Sequence, residues 1–180
     1  MGTWSWVIGG LLVAVGGILY TLELPTRVDD GIVDLSSTEV IMITKCSHVF
    51  YYISDLSNYA KWFPGIENVT ALVPGPVENG KQYEETVSFP VYGDFVRLTY
   101  VTSYAPPKEF QFMYEDTSMV AVTMKLSQES PDRCLLRYNA GTRRTSLLFH
   151  VSMGLPLRLM YSLRGRHGMF AIRSMFNHAS

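Results

Sequence analysis

The chain has 180 residues, of which 47% are hydrophobic and 17% charged, with a net charge of −1. This length favours one domain, and the composition excludes a disordered or collagen-like protein. Its two cysteines, Cys46 and Cys134, are too few for a disulfide scaffold or a Cys-rich zinc module. One disulfide remains open, but the pattern favours two reduced thiols in the core.

The first apolar segment, residues 4–22, is an uncharged run of 19 residues, WSWVIGGLLVAVGGILYTL. As a helix it would measure ~28 Å, which is close to the hydrocarbon thickness of a bilayer. Trp4, Trp6 and Tyr20 stand at its ends, where aromatic rings prefer lipid headgroups. A signal peptide fits less well, because no basic residue precedes the run and no A-x-A-like site follows it. We therefore predict that residues 1–24 form a transmembrane helix and that the protein is single-pass.

One face of this predicted helix carries the small residues Gly10, Ala14 and Gly17, which would suit packing against a partner helix. The positive-inside rule gives no orientation, because the only basic residue that follows closely, Arg27, is opposed by three acids. The segment Asn68-Val69-Thr70 matches the N-glycosylation sequence, which would be used only if the domain were lumenal.

The remainder of the chain follows a polar linker at 25–37. A β-branched run predicts a strand at 39–44, and apolar residues at helical spacing predict short helices at 48–54 and 59–63. After these helices the hydrophobic pattern alternates with a period of two residues, and turn residues separate the alternating segments. Short turns imply a sequential antiparallel sheet. The predicted strands of this sheet are 69–73, 82–89, 95–104, 110–115, 120–127 and 134–142.

The chain ends in a predicted long helix at 157–176, for which Pro156 suits the first turn. Its broad apolar arc should pack on the sheet. That arc comprises Leu157, Leu159, Met160, Tyr161, Leu163, Phe170, Ala171, Ile172 and Met175.

A family resemblance rests on the segment 47–66, SHVFYYISDLSNYAKWFPGI. It resembles the start of START-like (SRPBCC) proteins of the polyketide cyclase/dehydrase and lipid-transport type, with spaced hydrophobic residues, an aspartate, an aromatic, a tryptophan and a proline. Gly80-Lys81 and the closing helix are similar too. The resemblance implies an α+β helix-grip fold over 38–180, with a curved antiparallel sheet of about seven strands wrapped on the C-terminal helix. It also implies a cavity for an apolar ligand such as a sterol, phospholipid, quinone or polyketide.

Enzyme motifs are missing from the sequence, which has no HExxH, CxxC, GxSxG, GxGxxG or P-loop. Its four histidines lack metal-ligand spacing. The sequence therefore favours a binding protein over an enzyme, and it predicts no catalytic residue, metal or cofactor. No nucleic-acid-binding module is recognised either.

The predicted cavity gathers aromatic and apolar residues from the sheet and the last helix. Arg164 and His167 fall inside the apolar arc of that helix, about one turn apart. A buried charge needs a partner, so Arg164 should meet either a strand acid such as Glu85 or Glu115, or a ligand head group. The full predicted lining is Trp62, Tyr83, Phe95, Phe112, Tyr114, Met160, Leu163, Arg164, His167 and Ala171.

Positive charge is concentrated at the C-terminal end. Residues 133–180 contain eight arginines and no acid, whereas residues 1–132 contain all 16 acids. Arginine suits phosphate, so this end contacts either an anionic surface or the acidic part of its own domain. The apolar stretch 147–155, flanked by arginines, is either a membrane-inserting loop or a buried connection. The predicted membrane contacts are Trp4, Trp6, Tyr20, Arg143, Arg144, Leu148 and Phe149.

Together these features predict a membrane-anchored domain that binds, transfers or presents a lipid or another hydrophobic small molecule. Two alternatives remain: an accessory subunit of a membrane protein complex, and a cyclase or dehydrase on the same fold.

Overall fold

A computed structural model describes residues 3–24, 31–89 and 93–177. Helix α1 (Thr3–Glu23) is followed by strand β1 (Val33–Met42), helix α2 (Cys46–Ser54) and a 3₁₀ helix (Leu56–Lys61). Six strands come next: β2 (Ile66–Ala71), β3 (Gln82–Phe89), β4 (Gly93–Ala105), β5 (Glu109–Tyr114), β6 (Val120–Ser130) and β7 (Arg133–Thr142). Helix α3 (Leu147–Phe149), a π-helical turn (His150–Gly154) and helix α4 (Leu155–Asn177) end the described chain.

The strands form one antiparallel sheet in the order β1-β7-β6-β5-β4-β3-β2. Consecutive strands from β2 to β7 are neighbours because their connections are short, and β1 closes the other edge by pairing with β7. The predicted α+β fold, with a seven-stranded antiparallel sheet packed on a long C-terminal helix, is confirmed. β1 begins at Val33, inside the segment predicted as linker.

Helix α1 differs from its prediction. Within the described ranges of the chain, no helix is both long and apolar enough to cross a membrane, so the predicted transmembrane span is not supported. The helix does form at the predicted place, and its described apolar side chains, from Val7 to Tyr20, are exposed. Its last residue, Glu23, contacts Arg144 and accepts a hydrogen bond from Ser146 Oγ at 3.2 Å. These contacts fix the end of α1 beside α3.

The two cysteines form a disulfide that joins the start of α2 to β7. The interpretation of Cys46 and Cys134 as reduced thiols is therefore wrong. The first strand brings α2 back onto β7, so residues 88 positions apart in sequence become neighbours.

Helix α4 has the predicted extent, but only part of the predicted apolar arc packs on the core. Tyr161 and Ile172 are buried, and Leu157, Met160 and Ala171 are half-buried against the core. Leu159 and Leu163 are both 57% exposed and Phe170 is 73% exposed, although all three were predicted to be buried. The buried face instead contains Gly165 and Gly168. A Cβ at Gly168 would lie 3.0 Å from the Phe63 ring. The glycines therefore let the helix backbone approach the core closely.

Stretch 147–155, which we expected to be an apolar loop, is helical. Ser146 caps it, because its hydroxyl accepts a hydrogen bond from the backbone N–H of Phe149 at 3.3 Å.

Candidate ligand-binding cavity

A cavity of about 470 Å³ lies between β4, the turn that joins β5 to β6, and the start of α4. This volume is within the range of ~300–1,000 Å³ that is usual for small-molecule sites. Its wall is apolar on the helix side and polar on the turn side. The lining residues are Phe95, Arg97, Asp116, Thr117, Ser118, Met153, Pro156, Leu157, Met160 and Tyr161.

Arg97 supplies the charge at the polar end of this cavity. In the β3–β4 hairpin it lies directly opposite Glu85, and its Nη2 is 2.8 Å from Glu85 Oε1. The Glu85 side chain is 1% exposed and also accepts a hydrogen bond from the Thr99 hydroxyl at 3.0 Å. The guanidinium carbon lies 3.3 Å from the centre of the Tyr114 ring. Charge pairing and ring stacking thus hold the guanidinium in one orientation.

Asp116 forms the second acidic partner of Arg97, with 3.5 Å between its Oδ2 and Arg97 Nη1. Its other oxygen, Oδ1, accepts hydrogen bonds from the backbone N–H groups of Ser118 at 2.8 Å and Met119 at 3.2 Å. The turn therefore orients the carboxylate. One buried polar atom of the cluster, Arg97 Nε, has no hydrogen-bond partner among the described residues.

A layer of neutral tyrosines surrounds this ion pair. The hydroxyl oxygens of Tyr59 and Tyr114 are 3.3 Å apart. Burial raises the pKa of Tyr59 and of Tyr114 well above the usual range, and nearby Glu85 raises both further. Burial also raises the pKa of Tyr161, which lines the cavity. At neutral pH these phenols are uncharged hydrogen-bonding groups.

The interior beside the cavity is filled by aromatic rings. Tyr59 stacks on Phe63 with 4.7 Å between ring centres, and its edge contacts to Trp62 and Phe112 measure 5.0 Å and 5.5 Å. The space under the middle of α4 is thus occupied by side chains, and the cavity is confined to the beginning of the helix.

The predicted lining residues are distributed over three environments. Phe95 and Met160 line the cavity. Leu163 and His167 are exposed, and Ala171 is half-buried. The other aromatic residues of the prediction are buried in the core: Trp62, Tyr83, Phe112 and Tyr114.

Arg164 is half-buried and does not belong to the lining of the cavity. Its Nη2 donates to the backbone carbonyl of Ser88 at 3.2 Å. Its guanidinium also lies against Gly65, where an added Cβ would be 2.5 Å from Cζ. Arg164 thus links α4 to the loop before β2 and to β3, and Glu85, its suggested partner, pairs with Arg97.

The predicted membrane contacts are also spread over different environments. Tyr20 and Arg143 are exposed, Leu148 is half-buried, and Phe149 is buried beneath Arg144. The side chains of Trp4 and Trp6 lie outside the described residues.

Sequence reasoning missed Arg97, Asp116 and Tyr161. The available signal was the position of Arg97 in its strand. It lies two residues before the inward-facing Thr99, so its side chain is on the same face of the sheet, and it is paired across the hairpin with Glu85. Facing opposite charges on inward positions of neighbouring strands indicate a buried ion pair.

Comparison with solved structures identifies the fold. The chain is similar to the di-domain ARO/CYC StfQ of the steffimycin biosynthetic pathway, with a TM-score of 0.61, 11% identity, and coverage of 82% of this chain and 51% of StfQ. It is similar to the Zhui aromatase/cyclase from Streptomyces sp. R1128, with a TM-score of 0.61, 12% identity, and coverage of 78% and 91%. A START superfamily protein from Mycobacterium smegmatis gives a TM-score of 0.51, 16% identity, and coverage of 75% and 97%.

The chain therefore spans about half the length of StfQ and nearly the whole of the other two proteins. No family model and no curated protein matches the sequence. At these identities the likeness concerns the fold, and it shows that this chain has a START/SRPBCC-like helix-grip fold.

Proposed function

We propose that this domain binds a hydrophobic small molecule whose polar end faces Arg97, in the cavity at the start of α4. The observation that carries the proposal is the cavity of about 470 Å³, apolar along Leu157 and Met160 and charged at Arg97. An apolar wall with a few converging polar groups is the usual construction of a small-molecule site. The fold, which suits hydrophobic ligands, supports the same reading.

The test is to purify the full chain in mild detergent and identify the small molecules released on denaturation by mass spectrometry. Met160→Trp fills the cavity, whereas Val73→Trp places the same ring on an exposed position of the loop after β2, away from the cavity lining. We expect one enriched ligand that is lost from the Met160 variant and kept by the Val73 variant. A released mixture that matches bulk lipid, or that is the same in both variants, would contradict the proposal.

We further propose that the ligand is bound at a membrane. The apolar side chains of α1 between Val7 and Tyr20 are exposed, as at Val7, Leu12 and Tyr20. Exposed apolar surface of this extent indicates contact with lipid or another protein. An accessory subunit of a membrane complex would use the same helix to pair with its partner, and stable co-purification of that partner at fixed stoichiometry would favour this alternative.

A second candidate function is a cyclase or dehydrase reaction in the same cavity. It is favoured by the convergence of Arg97, Asp116 and Tyr161 on one end of the cavity. The uncharged hydroxyl of Tyr161 would donate a hydrogen bond to the carbonyl oxygen on which negative charge develops during an aldol ring closure. The test is to incubate the chain with a short polyketone thioester and search for the cyclised, dehydrated product. Tyr161→Phe should lose this product, and equal product from both proteins would contradict the candidate.

A further inference from the structure

The outer face of α4 carries exposed apolar side chains that do not line the cavity, such as Leu159 and Leu163. We propose that this face and the π-helical turn before it dock on an anionic lipid bilayer, with the mouth of the cavity against the lipid. The inference rests on the proposed function, because docking would give a hydrophobic ligand a dry route between the bilayer and the cavity.

The first observation is an apolar strip on the exposed side of the helix. Leu155, Leu159 and Leu163 recur every fourth residue and are 64%, 57% and 57% exposed. Residues at this spacing lie on one face of a helix. Val151 and Met153 extend the strip onto the π-helical turn and are 75% and 49% exposed. A strip of this kind in water indicates an interaction surface.

The second observation is that the strip adjoins the cavity mouth. Met153 belongs to both, because it lines the cavity and is half exposed. Pro156 and Met160, which also line the cavity, each follow a strip leucine by one residue. Phe95 borders the mouth from the sheet side and is 38% exposed. A surface that covers the strip therefore also covers the entrance.

The third observation is charge. Arg158, Arg166 and Arg173 are exposed on α4, and residues 133–180 contain no acidic residue. Arginines beside an apolar strip fit a bilayer with anionic headgroups, where each basic residue near the surface favours binding about fivefold.

The position of α1 selects lipid over a protein partner. Glu23 contacts Arg144 and Ser146, so the exposed apolar helix α1 joins the body at the start of the segment that carries the strip. One bilayer surface could cover α1 and the strip together.

The test uses the full chain with an environment-sensitive nitrobenzoxadiazole label on a single introduced cysteine, since the native cysteines are paired. Leu159→Cys reports the strip, and Val73→Cys is the matched control, an apolar residue 70% exposed in the loop between β2 and β3. Vesicles contain phosphatidylcholine alone or with 30% phosphatidylglycerol, together with a spin-labelled lipid as quencher.

We expect several times more quenching at position 159 than at position 73, and only in the anionic vesicles. Replacing Arg158 and Arg166 by glutamine should lower the ratio of docked to undocked protein about 25-fold, while Arg133→Gln on β7 should leave it unchanged. Equal quenching at both positions, or none at 159, would overturn the proposal, and the latter would direct attention to a protein partner.

The ligand extraction described above is an independent measurement. Quenching at 159 without an enriched ligand would support docking and contradict only the proposed ligand binding. An enriched ligand without quenching would leave ligand binding standing and overturn docking.

Discussion

Replacement of Glu85 by glutamine tests whether the Arg97 ion pair is the buried polar centre of the domain. The side chains of Glu85 and Arg97 are 1% and 8% exposed and 2.8 Å apart. The substitution keeps the shape of the side chain but leaves the guanidinium with only Asp116, at 3.5 Å and 23% exposed. Removing one partner of a buried pair costs about 3–5 kcal/mol, and the remaining acid places our expectation near ~3 kcal/mol.

The assay is urea unfolding of the full chain in mild detergent, followed by circular dichroism. Glu39→Gln is the matched control, because it breaks an ion pair of similar length, 2.9 Å to Arg137, in which both side chains are 53% exposed. An exposed pair contributes at most about 1 kcal/mol. The double variant Glu85→Leu/Arg97→Met removes both charges and should lose less stability than Glu85→Gln, because the desolvation penalty disappears with the charges and only the Thr99 hydroxyl loses its acceptor.

Two results would refute this reasoning. One is a Glu85→Gln variant no less stable than the Glu39→Gln control. The other is a double variant whose loss of stability equals the sum of the losses of the single variants Glu85→Leu and Arg97→Met, since the two side chains would then act independently.

Three further expectations concern the backbone, the disulfide and pH. Gly65→Ala should lower the free energy of unfolding by about 2 kcal/mol, because Gly65 has φ +82° and the Arg164 guanidinium occupies the place of the new Cβ. Gly31 is the control: it has φ +62° and open space around it, so Gly31→Ala should lower the free energy of unfolding by less in the same thermal unfolding series. Reducing Cys46–Cys134 should lower the free energy of unfolding by about 3–4 kcal/mol, because the bond closes a long loop, and an unchanged urea midpoint in dithiothreitol would contradict this. Burial raises the pKa of Tyr83 from 10.0 to about 12. The contribution of the neutral phenol to the free energy of unfolding is therefore complete below pH 10 and is lost as the pH rises towards 12. Urea midpoints that stay constant between pH 10 and pH 12 would disprove this expectation.

The patterns of local sequence predicted the elements correctly where the signal was periodic. The alternating segments became strands β2–β7, and the long apolar repeat became α4, because side-chain alternation and helical spacing are decided by residues close in sequence. Local contacts also end and begin the short helices, as where Asp55 accepts a hydrogen bond from the backbone N–H of Ser57 at 3.1 Å.

The buried face of α4 could not be predicted in the same way. A helical wheel ranks leucine as buried and glycine as neutral, whereas here the aromatic core occupies the space under the helix. Gly165 and Gly168 let the helix backbone fit against these rings, while Tyr161, Met169 and Ile172 supply the buried side chains of the same helix. The leucines were therefore left outside.

The sequence by itself thus determined the order of the elements and the antiparallel sheet, and its resemblance to START-like proteins implied the helix-grip architecture. Only the tertiary structure decided which charges meet: the β3–β4 register placed Arg97 opposite Glu85, and packing turned Arg164 towards the carbonyl of Ser88. Both outcomes depend on contacts between residues distant in sequence, and a charge follows whichever partner that packing brings within hydrogen-bonding distance when water is removed.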